Sequence, residues 1–261
     1  MRSEPKGECW HKSTAIDGVE FTLYNSGHIP GSSQLMIKNG ASILYSGDLN
    51  LNGGLITQPA ETPRCDILIM EATFGVPRYI FPDRADVIRE MKNWIEECNL
   101  KGRTPVVLGY ALGKAQELTK ALSSDFTVYV DRDVFEFNRR TERLGVDIGD
   151  YQRLEDLSDK DDRIVIAPPC KARHFTGEWY SLALASGWAL NTGWLDRYGK
   201  CFGFPLSDHS DFNDLVRFVE RVSPQVVYTT HGYSREFSSH LRERGFYSEP
   251  LSEAQTKLDA F

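Results

Sequence analysis

The apolar residues of this chain change their spacing twice, and those two changes constrain its fold more than any other feature. Up to about Pro77 they are arranged as in strands. Val19-Glu20-Phe21-Thr22-Leu23-Tyr24 alternates and is rich in β-formers. Residues 33–38 and 41–45 flank Asn39-Gly40, the preferred two-residue hairpin turn. Asp66-Ile67-Leu68-Ile69-Met70 is nearly continuous apolar sequence, which suits a strand buried on both faces. From Pro77 helices and strands alternate. Helical spacing over 84–99 (Val87, Ile88, Met91, Trp94, Ile95, Cys98) is followed by strands predicted at 105–110, 126–130 and 163–167 and helices at 115–122 and 134–144. Such alternation predicts a parallel sheet with helices packed on it. The acidic stretch 151–162 reads as an exposed connector. After Trp179 short strands return at 181–185, 200–206 and 225–230, with a helix over 211–222 that Pro224 follows. The predicted organisation is an α/β section, 78–177, inserted between β-rich flanks 1–77 and 178–261.

Bulk properties narrow the function classes. With 261 residues the chain can build one large core or two modest ones. No apolar run approaches the roughly 18 residues of a membrane span, and the charged opening 1–12 is unlike a secretory signal. A cytoplasmic protein with no membrane partner is therefore expected. The net charge of −7 argues against nucleic-acid binding by overall charge, so any such site must be a local basic patch or depend on bound cations. The five cysteines (Cys9, Cys65, Cys98, Cys170, Cys201) form no CxxC pair, which speaks against a disulfide framework or a zinc ribbon. They read mostly as small buried apolar residues.

Five polar segments stand where predicted strands stop: Gly27-His28-Ile29-Pro30-Gly31-Ser32, Ser46-Gly47-Asp48, Met70-Glu71-Ala72-Thr73, Leu206-Ser207-Asp208-His209-Ser210 and Thr230-His231-Gly232. Strand ends are where α/β proteins place chemistry, and histidine with carboxylate is a ligand set for zinc or manganese. Each residue also has a plainer reading. A histidine before glycine can be a hydrogen-bonded turn residue, Ser207 or Asp208 can cap the following helix, and Glu71 can pair with an arginine. Gly113-Lys114 lacks the spacing and the Ser/Thr of a phosphate loop.

These segments, in this order, resemble the later motifs of the β-CASP branch of the metallo-β-lactamase superfamily of nucleases. Residues Gly109-Tyr110-Ala111-Leu112-Gly113-Lys114-Ala115-Gln116-Glu117-Leu118 look like a strand-to-helix segment of that branch's cap. Ile166-Ala167-Pro168-Pro169, Ser186-Gly187-Trp188 and His231-Gly232-Tyr233 are most similar to the prokaryotic mRNA 3′-end processing factor-like and DNA-ligase-associated exonuclease proteins. The resemblance implies an α/β fold, a metallo-β-lactamase αββα sandwich with an inserted Rossmann-like cap. It implies a metal-dependent nuclease acting on RNA or single-stranded DNA, with zinc or manganese as cofactor. His28 would bind a first metal, Asp48 bridge two, and His231 bind the second. His209 would give a proton to the leaving oxygen, with Glu71 holding its imidazole. Lys114 and Ser207 would lie at the nucleic acid, although a solvated Lys114 is an equal reading. A histidine at position 231 resembles the RNA-acting members.

One departure bears on all of this. Members of the branch carry a His-x-His-x-Asp-His segment upstream of the first motif seen here; this chain has no HxHxDH, and only His11 precedes His28. With His28, Asp48 and His231 alone, each metal has about two protein ligands where a catalytic zinc takes three plus water. The expectations are a single weakly held ion or none, a truncated sandwich missing part of one layer, and little or no nuclease activity. A homo-oligomer, or a partner supplying the missing segment, is expected to cover the open layer. A fragment of a longer protein, a split gene and a catalytically inactive nucleic-acid-binding or scaffold homologue all fit. A non-nucleolytic hydrolase of the superfamily fits less well, because of the cap-like segment.

Overall fold

The computed structural model describes residues 10–157 and 162–251. In chain order these form β1 (Thr14–Ile16), β2 (Val19–Asn25), β3 (Ser33–Asn39), β4 (Ala41–Tyr45), β5 (Ile67–Glu71), α1 (Arg84–Leu100), β6 (Thr104–Leu108), α2 (Lys114–Leu122), β7 (Thr127–Val130), α3 (Arg132–Arg143), β8 (Gln152–Arg153), β9 (Arg163–Ala167), β10 (Tyr180–Ala185), α4 (Thr192–Leu195), β11 (Cys201–Phe204), α5 (Phe212–Val222), β12 (Val226–Thr230), α6 (Ser234–Glu243) and β13 (Ser248–Pro250). No helix among the described residues is long and apolar enough to cross a membrane.

The chain divides into two compact units. One runs up to Ile80 and resumes at His209; the other is Phe81–Asp208. The first crossing falls close to Pro77, but the return lies at His209 and not at 178. The reason is pairing: β10 lies beside β6 (Leu182 opposite Val106) and β11 beside β10, so both strands belong to the second unit's sheet. Likewise 151–162, read as a bare connector, contains β8 and a 3-10 turn at Leu154–Asp156; residues 158–161 lie outside the described residues.

The first unit is a single seven-stranded sheet ordered β1-β2-β3-β4-β5-β12-β13. The β3–β4 hairpin turns on Gly40 at φ +76°, a conformation glycine adopts without penalty. Strand pairing puts Met36, Leu44, Leu68 and Val227 on one face, and there they meet Leu215, Val219 and Val222 of α5 and Phe237 and Leu241 of α6 in one fully buried cluster. The neighbouring register positions turn to the other face. Phe21, Ile37, Ile43, Ile67 and Val226 form one row across it, and Leu23, Leu35, Tyr45, Ile69 and Tyr228 the next. None of these ten is fully buried, and Tyr45 is 41% exposed. Among the described residues this unit is thus one β layer with one α layer, the make-up of half an αββα sandwich.

The second unit is a six-stranded, all-parallel sheet ordered β11-β10-β6-β9-β7-β8. A parallel sheet must be covered on both faces, which explains the consecutive apolar residues Val106-Val107-Leu108 of β6 and Ile164-Val165-Ile166-Ala167 of β9. Val107, Val128 and Ile166 pack with α1, α2 and α3 on one side, while Val106, Tyr129 and Val165 pack with Phe175 on the other. Asp83 caps α1, accepting hydrogen bonds from the N–H groups of Ala85 and Asp86.

Candidate metal and proton-transfer site

In the first unit β3 runs antiparallel to both β2 and β4, so β2 and β4 point the same way, and β5 and β12 run parallel to β4. The C-terminal ends of β2, β4, β5 and β12 therefore share one end of the sheet, and the segments bearing His28, Asp48, Glu71 and His231 all leave from it. His209 enters from the start of the stretch leading to α5.

Glu71 organises this end. It is the last residue of β5, 2% exposed, and both of its oxygens are occupied. The Leu49 N–H donates to Oε1 at 2.6 Å, and the Thr73 N–H and hydroxyl donate to Oε2. His209 Nδ1 lies 2.8 and 3.0 Å from the two oxygens. Burial by itself pushes the Glu71 carboxyl up; the charge and hydrogen bond of His209, with those of Thr73 and Leu49, outweigh it and hold the group below the usual carboxylate range. An ionised carboxylate only accepts, so Nδ1 carries a proton, and Nε2 is left facing outward from the pair.

The same residues pin the loops. Ser210 donates its N–H to the Leu49 carbonyl (2.8 Å), and its hydroxyl accepts from the Leu51 N–H (2.9 Å). The Asn50 N–H donates to the Ser26 carbonyl, and the Ala60 N–H to the Asn50 carbonyl. Gly27 sits inside this weave at φ +73°, and a Cβ there would stand 2.2 Å from the Asn50 carbonyl oxygen. Only glycine lets the His28 loop lie so close to the Asp48 loop.

The side chains that result from this packing are His28, Asp48 and His209, whose ligand atoms all lie within 4.8 Å of one another. His28 Nε2 is 3.7 Å from Asp48 Oδ2, and the His28 and His209 rings are 4.5 Å apart, centroid to centroid. Phe74 packs edge-on against His209. Two imidazoles and a carboxylate around one point fit a zinc-type ion by donor chemistry. The fit is partial, because ligands held at about 2 Å by one ion must draw closer together than this.

The trio is not the one predicted from sequence. His209, expected only as a proton donor, stands in it, and His231 does not. His231 occupies a left-handed turn (φ +59°) and is exposed; the following Gly232 is wedged against the Thr73 backbone, where a Cβ would stand 2.4 Å from Cα. The plainer reading of Glu71, a partner for arginine, gives way to its pairing with His209. The cap of α5 is neither Ser207 nor Asp208 but Asp211, which accepts from the Asp214 N–H at 2.8 Å.

In the second unit, Lys114 is neither solvated nor available to a phosphate. It is 1% exposed and paired with Glu117 (2.7 Å) and with Asp208, and Arg84 also bonds Glu117. Its stem lies over Gly109, where a Cβ would meet Lys114 Cγ at 2.9 Å. Two cations and two carboxylates balance there, which is what lets these charges be buried. Ser207 is 6% exposed, and its carbonyl accepts from Arg84. Sequence reasoning missed Arg84, Leu49 and Ser210, which act through backbone atoms or through distant partners.

Known proteins give these observations a context. Residues 201–248 match the family described as the Zn-dependent metallo-hydrolase RNA specificity domain. The chain is 39% identical over 248 residues to a probable DNA ligase of Opitutus terrae, covering 92% of this chain and 24% of that protein. It is 29% identical to the transcription termination factor FttA of Methanocaldococcus jannaschii, covering 82% of this chain and 45% of the relative. It is 32% identical over 123 residues to RNase aCSPSF2 of Saccharolobus solfataricus, covering 44% of this chain and 25% of the relative. The chain thus spans less than half the length of these relatives. A crystal structure of an Enterococcus faecalis protein of unknown function shares the fold at a TM-score of 0.56 and 14% identity, over 92% of this chain and 63% of that one. The RNA specificity domain match, these relatives and the strand-end motifs agree: this chain belongs to the β-CASP branch of the metallo-β-lactamase family.

Proposed function

We propose that His28, Asp48, Glu71 and His209 form the hydrolytic centre of a metal-dependent phosphodiesterase that acts on RNA. The observation that carries this reading is the His209–Glu71 pair standing against the His28–Asp48 pair at one sheet end. His28 and Asp48 would hold the ion, zinc or manganese. Bound there, it supplies neutralisation of phosphodiester charge and an activated water. The remaining steps belong to the protein. With Nδ1 committed to Glu71, His209 presents a proton on Nε2 and delivers it to the leaving oxygen. Glu71 fixes the ring and stabilises its charged form, much as a carboxylate orients the histidine of a hydrolytic triad. Leu49 and Ser210 keep Asp48 and His209 in fixed relation. Support for RNA comes from the matched RNA specificity domain and from relatives named as ribonucleases.

With two protein donors apart from the proton donor, one ion is held weakly and cleavage is slow. Zinc titration of chelator-treated protein, paired with a single-stranded RNA cleavage assay, tests this. Expected are one weakly bound ion, lost in H28A and D48A, and slow metal-dependent cleavage absent from D48A and H209A. Zinc binding that D48A leaves unchanged overturns the proposal. Failure to bind zinc or manganese at all, with RNA still bound, favours the inactive nucleic-acid-binding homologue.

A further inference from the structure

A second feature lies wholly within the inserted unit. A cavity of about 1220 Å³ is walled by the segment 169–178, by 197–200 and by the first residues of β10 and β11, with Trp94 and Arg103 completing it. Arg103 immediately precedes β6, Tyr180 opens β10 and Cys201 opens β11, so the cavity reaches the N-terminal ends of three parallel strands. Lys114 and Asp208 follow the C-terminal ends of β6 and β11 and do not line it.

Its charge runs against that of the chain. Arg103, Arg173, Arg197 and Lys200 line it, with Glu178 as the one acid, in a protein of net charge −7. All four cations are exposed, and among the described residues none forms an ion pair. An anion entering the cavity meets positive potential there and relieves whatever repulsion the four cations exert on one another. The Arg197 guanidinium carbon also lies over the Trp194 ring, 4.1 Å from its centroid, a cation–π contact that helps to position it.

The walls add flat apolar surfaces. Trp94 and Phe202 stack at 6.3 Å between centroids with 26° between planes, and Phe202 is 44% exposed. Tyr198, half-buried, lines the same space. Uncompensated arginine and lysine beside exposed aromatic faces is the pattern that holds single-stranded nucleic acid, cations taking phosphates and rings taking bases. The volume exceeds the roughly 300–1,000 Å³ of an ordinary small-ligand pocket, which favours several nucleotides over one.

We propose that this cavity is a second, metal-independent binding site for single-stranded RNA. It supplies the local basic patch that an acidic chain needs to bind RNA. The proposal deepens the nuclease reading, on which its choice of RNA rests, but it predicts binding that does not need catalysis.

The test uses the full chain, a chelator, and a fluorescent 2′-O-methyl oligoribonucleotide of about 12 nucleotides, within the usual site size for such grooves. Fluorescence anisotropy of wild type, R173E/R197E and F202A reads affinity. The double charge reversal should weaken binding by about tenfold or more and flatten the salt dependence, each lost phosphate contact removing about 0.7 from the log–log slope. F202A should weaken it by about tenfold through lost stacking. As a readout independent of any variant's folding, bound oligonucleotide should shield the exposed Cys170, which lines the cavity, from alkylation. Unchanged affinity in R173E/R197E, or unprotected Cys170 at saturation, overturns the proposal. So does equal competition by a phosphopeptide or by polyphosphate, since the aromatic walls would then be idle. Loss of RNA cleavage with charge-sensitive binding intact would sink the nuclease reading alone.

Discussion

Replacing Glu71 by glutamine tests whether one buried carboxylate holds the candidate site together. Four donors converge on its two oxygens: the Leu49 N–H, the Thr73 N–H and hydroxyl, and His209 Nδ1. An amide offers one acceptor oxygen and an NH₂ group. Its better orientation keeps the oxygen on Leu49 and His209 and turns the NH₂ toward Thr73, whose hydroxyl can rotate to accept but whose N–H cannot. Hydrogen bonds to charged groups are worth roughly 1.5–3 kcal/mol and neutral ones roughly 0.5–1.5. Two bonds lose their charge assistance and one backbone N–H loses its acceptor, while the relief of burying no charge offsets part of this. A net loss of roughly 1–3 kcal/mol follows from these terms. E71A leaves all four donors around a void and should cost more, roughly 3–5 kcal/mol, as when one partner of a buried pair is removed. Guanidinium denaturation at pH 7 in chelator, comparing wild type, E71Q and E71A, reads both values. Metal-dependent RNA cleavage should slow about 10–100-fold in E71Q, because the residue that orients His209 and stabilises its proton-bearing form loses its charge. The reasoning fails if E71Q unfolds at the wild-type midpoint and cleaves RNA as fast as wild type.

Three further outcomes are expected. Asp66 accepts from the Ser42 hydroxyl and N–H, which hold its carboxyl below the ordinary 3.8. A lowered folded-state value contributes stability above the unfolded pKa and loses it as pH falls through the folded one; D66N should melt earlier than wild type near neutrality, the two curves converging in acid, and parallel curves at all pH would refute this. Burial pushes the Cys65 and Cys201 thiols up to about 11 and raises Cys98, whereas Cys170 is exposed, so in free protein at pH 8 iodoacetamide should modify Cys170 long before those three, as peptide mapping would reveal. The open sheet face in the rows of Ile37 and Tyr45 should be covered by a second copy or a partner, about 800 Å² per side making a standard interface; light scattering should find wild type larger than a monomer and I43K/I69K monomeric, and a wild-type monomer throughout the micromolar range contradicts this.

Elements whose identity depends on neighbours along the chain were legible in the sequence. The β3–β4 hairpin was readable from Asn39-Gly40, α1 from Val87, Met91 and Ile95, and β5 from its apolar run ending in Glu71. Helix α6 was not, because Ser234–Glu243 offers only Phe237 and Leu241 to the core and its N-terminus lacks a side-chain cap. Partner choice was the other gap. Strands β10 and β11 look in sequence like any short apolar strands, and only their register against β6 assigns them to the inserted unit.

The candidate site divides along the same line. That polar residues at strand ends belong together follows from strand direction, because β2, β4, β5 and β12 point one way. Which of those residues meet depends on loop conformations the sequence leaves open. His28 reaches Asp48 because Gly27 lets its loop cross against Asn50, whereas the left-handed turn at His231 and Gly232 carries an equally motif-like histidine to an exposed position outside the trio. Lys114 reverses its expected role for a related reason. Gly109 clears room for its stem, and Glu117 and Asp208 then provide the counter-charges that make burial of an ammonium possible. The exposed basic groups of the inserted unit's cavity are instead Arg103, Arg173, Arg197 and Lys200, scattered over nearly a hundred residues. No local window of sequence marks them as a patch; they become one because the crossovers after β9 and β10 bring segments 169–178 and 197–200 back to the start of β6.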